Sequence, residues 1–519
     1  NCHWILRRFG QSTESRGMVW LPPYHDMGLI GGIFEPLYMG GPCFLMSPVA
    51  LFANPFSWLQ VISRYRATTS GGPNFAYDLC VRKVTADQRA TLDLSCWRLA
   101  FCGAEPVRAE TLERFTATFA PCGFRKEAFY PCYGLAEATL LAAGGRKDLP
   151  PRTLTVRKAA LEANHVRPCH PEEAGGRRVV GCGRTLDDQL LTIVHPDKLT
   201  HCAPDEVGEI WVAGASVAKG YWARPEETSE TFAGYIADTG EGPYLRTGDL
   251  GFLHNAELYI TGRLKDLIIL RGRNLYPQDL ERTAEVSHPD LQPGAGAAFA
   301  IEEDGCGRLV IAAEVFPRRR PDVATVAEAV RRAVADEHEA ELYSFVLLQP
   351  GGLPKTSSGK VQRRACRQAY LTGALDTIGH WRSSGATFGV ELTRAAILAL
   401  PERRRQERLE TYLRAQLARL LHTDVGGIDP RQPVNTLGLD SLKTVEIKNA
   451  LEGSIGIALP VSSFLQGASI VQLVSQMVRE LSLPAAIPGQ RSVGAILREI
   501  QELSDDQVKR QLATENVAG

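Results

Sequence analysis

The sequence predicts an α/β protein with a large mixed domain, a smaller α+β domain and a helical bundle near its end. In the first half, short β-rich runs such as FLMSP, RLAFCG and GEIWVAG alternate with helical stretches and Gly/Pro turns, as in mixed α/β layers. The pattern restarts near Leu264, and a purely helical pattern follows a later Gly/Ser-rich stretch. At 519 residues, the chain is also too long for one hydrophobic core.

The first two domains follow from the order of these patterns. Residues 1–263 carry the alternating runs, ending with LYITG, and form the predicted large domain. Residues 264–376 form the smaller domain, in which DLIILRG reads as a strand and VATVAEAVRRAVADEHE as a helix. Residues 377–400 contain GHWRSSGATFG, whose Gly and Ser residues indicate a linker.

The third domain, residues 401–484, is predicted from helical periodicity. One apolar helix face is formed by Leu409, Leu413, Leu417, Leu420 and Leu421. A second face is formed by Ile470, Leu473, Val474, Met477 and Leu481, with Ser469 expected as the N-cap. About 80 residues of helix with a long loop fit a small bundle. Residues 485–519 read as a helical tail.

Composition excludes several function classes. The 58 basic and 59 acidic residues leave a net charge of -1, which gives no electrostatic case for a nucleic-acid partner. No apolar run reaches the roughly 20 residues that span a membrane. The 12 cysteines are scattered without a CxxC pair and the start lacks a signal-peptide layout, so we expect reduced thiols and a cytoplasmic protein.

Four motifs carry the main functional signal. They are YGLAE (133–137), RTGDLG (246–251), GRLKD (262–266) and PKTSSGK (354–360). In this order and spacing they resemble the adenylate-forming superfamily. The runs WLPPYHDMGLIGG, GGPNFAYDLC, AFCGAEPV, FYPCYGLAEATL and GRNLYPQDLE narrow this to its fatty acyl-AMP ligase branch. The resemblance implies a partial adenylate-forming large domain, its small C-terminal domain and, after them, a carrier.

Nucleotide binding is expected around two of these motifs. Asp249 can accept hydrogen bonds from both ribose hydroxyls, although a TGD sequence alone could be an ordinary turn. Tyr133 offers a face for adenine and Glu137 a hard oxygen ligand for Mg²⁺; the plainer interpretation is a core Tyr and a solvated Glu. The resemblance adds further residues to the ATP/AMP pocket: Gly103, Ala104, Glu105, Gly134 and Arg263.

Two residues are predicted to be catalytic. The resemblance implies that Lys360 meets the carboxylate and the α-phosphate, where its charge would stabilise the transferring group; alternatively, it is an exposed lysine. His25 matches the wall between the acyl and nucleotide pockets, or is a satisfied core histidine. Lys265 matches the family's hinge. The acyl pocket is expected at Gly72, Asn74, Phe75 and Tyr77.

The second strong motif is LGLDSLKTVEIKNALE (437–452), which resembles the attachment site of acyl carrier proteins. Ser441 follows Asp440 at a helix start, where free amides and the helix dipole suit a phosphodiester. The resemblance implies 4'-phosphopantetheine on Ser441, added by a phosphopantetheinyl transferase. The alternative is that Asp-Ser is only a helix cap.

The combined prediction is activation of a fatty acid to acyl-AMP and its transfer to a carrier thiol, in front of polyketide or peptide synthase modules. The Ser/Thr/Gly-rich phosphate loop that the family carries upstream of WLPPYHDMG is absent, so we expect an N-terminally truncated chain with little adenylation activity alone. The alternatives are an acyl-CoA synthetase, an amino-acid adenylation domain, or an inactive fragment that presents only the carrier.

Overall fold

The computed structural model describes most of the chain, in these ranges: 1–303, 306–356, 359–383, 392–421, 423, 425–439, 441–457, 459–465 and 467–482. Its contacts divide it into two compact units. The first comprises Asn1–Pro277 and Pro354–Ala365, and the second comprises Gln278–Leu353 together with the described residues after Ala365. The predicted tail lies outside the described residues, as does the middle of the predicted linker, 384–391.

The first unit is built on a sheet of order β2-β1-β3-β4-β5-β6-β9, with β10-β11-β12-β13 as a second sheet and β7-β8 and β14-β15 as two-stranded sheets. Its strands are β1 (Gly17–Val19), β2 (Cys43–Leu45), β3 (Thr69–Gly72), β4 (Leu99–Cys102), β5 (Phe129–Gly134), β6 (Leu141–Gly144), β7 (Thr153–Arg157), β8 (Gly176–Val180), β9 (Arg184–Thr185), β10 (Gln189–Val194), β11 (Gly208–Gly214), β12 (Leu245–His254), β13 (Glu257–Arg263), β14 (Ile268–Leu270) and β15 (Arg273–Leu275).

The helices of this unit are short, from four to 11 residues. They are α1 (Cys2–Phe9), α2 (Asp26–Leu29), α3 (Glu35–Met39), α4 (Pro48–Ala53), α5 (Phe56–Tyr65), α6 (Asn74–Lys83), α7 (Ala86–Ala90), α8 (Ala109–Phe119), α9 (Lys158–Glu162) and α10 (Pro225–Phe232). Tilted and edge-to-face aromatic contacts fill the core between α5, α6, α8 and the sheet, through Trp58, Tyr77, Trp97 and Phe115. Such pairs add to the stability that apolar burial supplies.

The boundary between the units differs from the predicted end of the large domain at residue 263. The hairpin β14–β15 stays with the first unit, which continues to Pro277. The segment Pro354–Ala365, which contains PKTSSGK, also belongs to the first unit rather than to the smaller domain in which the sequence placed it. Hydrophobic periodicity could not predict that this segment packs with the first unit, because a short loop has no periodic pattern.

The second unit begins with an α+β sheet of order β16-β17-β18-β19. Its elements are α11 (Pro277–Ser287), β16 (Leu291–Glu303), β17 (Cys306–Val315), α12 (Val323–His338), β18 (Leu342–Leu348), α13 (Arg363–Leu371) and β19 (Thr377–Arg382). Strand β19 pairs antiparallel with β18. Residues 377–382 are therefore part of this sheet, and the prediction that the linker starts at 377 is wrong by the length of a strand.

The helical bundle completes the second unit. It contains α14 (Arg394–Leu398), α15 (Glu402–Leu420), α16 (Ser441–Ile455), α17 (Val461–Leu465) and α18 (Ile470–Ser482). Its core includes Leu413 from α15, Ile447 from α16 and Leu473 from α18, all fully buried. Ser469 forms the expected N-cap, since its Oγ accepts from Gln472 N at 3.3 Å. Among the described residues, no helix has the length and apolarity to cross a bilayer.

Candidate active site and carrier attachment site

The predicted motifs meet at one edge of the first unit's main sheet. Strands β1, β3, β4 and β5 are parallel neighbours, so their carboxyl ends lie at the same edge. After these strands the chain continues into the segments predicted to form the site. β1 leads to His25 and Asp26, β3 ends in GGPN, β4 leads to GAEP, and β5 ends in YGLAE. Open α/β sheets bind ligands at this edge, and the topology therefore explains why motifs far apart in the sequence form one site.

Close backbone approach defines the floor of this edge. A Cβ at Gly103 would lie 2.7 Å from the carbonyl oxygen of Cys132, and one at Gly134 would lie 1.6 Å from that of Leu140. Ala104 has a left-handed backbone with φ 68°, which costs energy for a residue with a Cβ. The turn after β4 and the end of β5 thus approach each other more closely than larger side chains would allow.

Asp249 is the centre of a buried polar cluster. Strands β12 and β13 pair in a register that sets Asp249 opposite Arg263. Arg263 Nε donates to Asp249 Oδ1 at 2.9 Å, and Tyr133 Oη donates to Asp249 Oδ2 at 2.9 Å. Burial raises the pKa of Asp249, whereas the charge of Arg263 and the hydrogen bond from Tyr133 act against that rise. Three of the predicted nucleotide-binding residues, Tyr133, Asp249 and Arg263, are therefore in direct contact.

Glu209 holds the TGD turn and was not predicted to matter. It is 2% exposed on β11. Its Oε1 accepts from Gly248 N at 3.1 Å, while its Oε2 accepts from Arg246 Nη2 and Trp211 Nε1, each at 2.9 Å. One indication of this role was present in the sequence, namely a glutamate in the otherwise apolar run GEIWVAG. A charged residue buried in a strand requires hydrogen-bonding partners.

His25 and Asp26 begin α2. Met27 N donates to Asp26 Oδ1 at 2.7 Å, and His25 Nδ1 donates a second hydrogen bond to the same oxygen. Burial favours a higher pKa for Asp26, but the hydrogen bond and charge of His25, with smaller contributions from the Met27 amide and Lys360, bring that pKa below its ordinary value. His25 thus orients the Asp26 carboxylate and favours its ionised form. No role was predicted for Asp26 from the sequence.

Lys360 lies among the acidic groups of this site. Its loop is closed by an antiparallel bridge between Lys355 and Val361, and Lys360 N donates to Thr356 Oγ1 at 3.1 Å. Burial lowers the pKa of Lys360, and the charges of Asp26, Glu105 and Asp249 partly offset that effect. Lys360 is thus partly buried, and its pKa responds to acidic groups from three predicted motifs; its catalytic role stays a prediction.

Glu137 lies in the turn after β5 and is half-buried. Its Oε1 accepts from Tyr221 Oη at 2.7 Å, and its carbonyl accepts from Ala218 N at 2.8 Å. Burial, followed by the hydrogen bond to Glu137, raises the pKa of Tyr221 to about 12. Tyr221 was not predicted from the sequence, since a tyrosine in a polar loop gives no signal without its partner. No cluster of three metal-ligating side chains occurs in the described part of the chain.

The predicted acyl-pocket residues occupy different environments. Asn74 is 1% exposed and braces the GAEP turn, with Nδ2 donating to the carbonyl oxygen of Pro106 and Oδ1 accepting from Arg108 N, both at 3.0 Å. Phe75 stacks on Phe52 at a centroid distance of 5.7 Å. Tyr77 is fully buried in the aromatic core.

The last two predicted positions differ in exposure. A Cβ at Gly72 would lie 2.5 Å from the Trp20 ring, so this turn is also tightly packed. Lys265, the predicted hinge, is exposed in a short 3-10 turn after β13 and lies inside the first unit, before β14. The acyl-pocket role of Gly72 and the hinge role of Lys265 stay predictions.

Ser441 is the first residue of α16 in the bundle. The helix is anchored by fully buried Ile447, Leu451 and Ile455, which hold its start at the end of the long loop from α15. Asp440, the other half of the predicted Asp-Ser pair, lies outside the described residues. A helix start presents free backbone amides that suit a phosphodiester.

Three protein families match successive parts of the chain. The AMP-binding enzyme family matches residues 1–222, the AMP domain of the Disco-interacting protein 2-like family matches residues 265–380, and the phosphopantetheine attachment site family matches residues 411–476. The second match includes most of β19, which supports the corrected end of the small domain. The third includes Ser441.

Similar proteins are ligases that act on fatty acids. Medium-chain-fatty-acid–[acyl-carrier-protein] ligase JamA of Moorena producens is 52% identical over 72% of this chain and 64% of its own length. A fatty acyl-adenylate ligase from Legionella pneumophila, solved with acyl adenylate and pyrophosphate, is 45% identical with a TM-score of 0.52, over 74% of this chain and 66% of that one. This chain therefore spans a little under two thirds of the length of either relative.

A third similar structure shows the fold alone. McyG A-PCP, solved with phenylalanyl-adenylate, is 20% identical with a TM-score of 0.63 and covers 93% of this chain and 69% of its own. The mixed α/β adenylate-forming fold followed by a carrier region, predicted from the sequence, is confirmed.

Proposed function

We propose that this chain activates a fatty acid with ATP and loads it on its own carrier. The proposal is supported by the matches to the AMP-binding enzyme and phosphopantetheine attachment site families, and by the similarity to fatty acid–AMP and fatty acid–carrier ligases. The observation that carries this proposal is the cluster at the sheet edge. There, Tyr133 and Arg263 each hydrogen-bond to Asp249, and the charges of Asp26, Glu105 and Asp249 act against the lowering of the Lys360 pKa by burial.

In the first step, a fatty carboxylate oxygen attacks the α-phosphorus of ATP and pyrophosphate leaves. Lys360 provides the positive charge that stabilises the negative charge on the transferring group. Asp249 accepts from the ribose hydroxyls through oxygen lone pairs that Tyr133 and Arg263 leave open. Gly103, Ala104, Glu105 and Gly134 line the adenine side.

Mg²⁺ fits the donors of this site. Glu137 is a half-buried carboxylate, and one of its oxygens accepts a hydrogen bond from Tyr221. Its charge contributes to the raised pKa of Asp249. Mg²⁺ in nucleotide enzymes usually takes one or two protein carboxylates and completes its shell with phosphates and water. A single glutamate beside the nucleotide site is therefore sufficient, and the bound ion would neutralise phosphate charge.

In the second step, the thiol of phosphopantetheine on Ser441 attacks the acyl carbonyl, forming a thioester and releasing AMP. A phosphopantetheinyl transferase must first modify Ser441. Because enzyme and carrier share one chain, the effective carrier concentration is high, which favours the carrier over free coenzyme A as acceptor. The loaded acyl group would pass to polyketide or peptide synthase modules in the cytoplasm.

The test is ATP–pyrophosphate exchange on the full-length protein with a panel of acids. Medium-chain fatty acids come first, because two similar proteins, JamA and TtuA, are named for them. We expect exchange with fatty acids and none with amino acids, and loss of exchange in Asp249→Ala. Exchange with amino acids only would contradict the proposed substrate class, and no exchange with any acid would favour a chain that only presents its carrier.

A further inference from the structure

In the second unit, helix α16 of the carrier packs against helix α12 of the small domain. Ala335 on α12 and Val445 on α16 are 2% and 0% exposed and form an apolar contact of their own. Neither belongs to the core of the bundle, which is built from other residues such as Leu413 and Leu473. The contact thus joins two elements that each have their own core.

Three polar pairs surround this apolar contact. Lys448 Nζ lies 3.2 Å from Glu339 Oε2, Arg331 Nη1 lies 3.1 Å from Glu446 Oε1, and Asn449 Nδ2 donates to Glu341 Oε2 at 3.1 Å. In the first pair the carrier supplies the basic residue, Lys448, and in the second it supplies the acidic residue, Glu446. Sliding or reversing α16 would bring like charges together, so the pairs fix its register.

Lys448 shows how closely the two helices approach. Its side chain is only 8% exposed, and it also lies 3.8 Å from Glu452 on its own helix. A lysine removed from water requires compensating charge. Glu339 supplies part of that charge from the small domain.

Helix α12 has a separate face for its own domain. Val326, Val330 and Val334 are fully buried, and α12 packs on β18 and β19. The residues facing the carrier are Arg331 and Ala335, and the surface continues into Glu339 and Glu341 beyond the helix end. The small domain therefore does not need α16 to complete its core, and the contact can separate.

From these observations we infer that the surface of Arg331, Ala335, Glu339 and Glu341 is a docking site for the carrier helix α16. It fits a carrier helix with a small apolar residue at position 445, an acid at 446 and a base at 448. By helical spacing, positions 445, 448 and 452 share one face of α16. The ligase would thereby hold its own carrier in preference to carriers with other charges.

Zero-length cross-linking tests this directly in the full chain. A carbodiimide joins a carboxylate and an amine that are already in contact, and peptide mass mapping identifies the amide. We expect a link between Glu339 and Lys448. The link between Lys448 and Glu452, within one helix, is the internal control for reagent access. Neither link needs ATP, a fatty acid or catalytic activity, so failure here is distinct from failure of the proposed function.

Charge swaps make the test specific. Glu446→Arg and Arg331→Glu should each lower the Glu339–Lys448 link by about tenfold, since each places like charges together. The double swap should restore it. Glu407→Arg, the same change at an exposed position of α15, should leave it unaltered. The proposal is overturned if only the Lys448–Glu452 link forms in the unaltered chain, or if the single swaps leave the interdomain link unchanged.

Discussion

Asn74 offers a quantitative test of how the first unit supports its site. Its side chain makes two hydrogen bonds of 3.0 Å to the GAEP turn and is 1% exposed. Asn74→Ala removes both bonds and leaves Pro106 O and Arg108 N without that partner. An unsatisfied buried group costs about 1–3 kcal/mol. Because both backbone groups are only partly buried, we take about 1–2 kcal/mol for each and expect a total loss of about 2–4 kcal/mol. Asn54, which is exposed, provides the matched control, and Asn54→Ala should change stability by less than about 0.5 kcal/mol.

The assay is urea unfolding followed by tryptophan fluorescence. Six of the seven tryptophans, all except Trp381, precede residue 278 and therefore report on the first unit. In a parallel titration with a non-hydrolysable acyl-adenylate analogue, Asn74→Ala should bind at least about tenfold more weakly, because the turn carrying Gly103 and Glu105 loses its brace. Unchanged stability and affinity in Asn74→Ala would refute this account of the turn.

Three further predictions concern single groups. Burial raises the pKa of Glu35 to about 7 from 4.5, so the folded chain binds its proton more tightly and loses stability as pH rises from about 4.5 to 7. In urea titrations, the advantage of Glu35→Gln over the unaltered protein should therefore grow by up to about 2.5 kcal/mol between pH 5 and 8, and a constant difference would refute this. In an adenylation-competent form of the protein, Lys360→Ala should slow single-turnover acyl-AMP formation by about a hundredfold or more and transfer from preformed acyl-AMP much less; equal loss in both steps would contradict the role. Because the pKa of Lys360 is lowered, raising the pH should reduce the adenylation rate of the unaltered protein earlier than it would for a lysine of ordinary pKa. Incubation with coenzyme A and a phosphopantetheinyl transferase should modify Ser441 alone, as mapped by mass spectrometry, and modification that survives in Ser441→Ala would exclude this assignment.

The sequence predicted the elements better than their grouping. Strands such as β4 and β11 and helices such as α12 and α18 follow from hydrophobic patterning, which is local information. The return of the Lys360 loop to the first unit depends on long-range contacts, and the sequence placed it in the smaller domain. Strand β19 was assigned to the linker because its run, TIGHWR, alternates weakly and adjoins a Gly/Ser-rich stretch.

The site shows the same division. Tyr133, Asp249 and Arg263 were predicted from motifs, and the structure joins them by hydrogen bonds. Two bracing residues were missed: Glu209, which accepts from Gly248 N in the TGD turn, and Tyr221, which donates to Glu137. A bracing residue is recognised only through the atom that it contacts. The packing of α16 on α12 could not be predicted either. Lys and Glu are common at protein surfaces, and only the fold shows that Lys448 and Glu339 are in contact.

Acylation of the carrier is the most direct test of the central claim. The protein, first modified on Ser441, is incubated with a medium-chain fatty acid, ATP, Mg²⁺ and free coenzyme A as a competing acceptor, and the Ser441 peptide is analysed by mass spectrometry. The account predicts an acyl group on the phosphopantetheine only when ATP is present, and its loss in Asp249→Ala. An unacylated Ser441 peptide alongside free acyl-coenzyme A, or acylation by an amino acid, would contradict it.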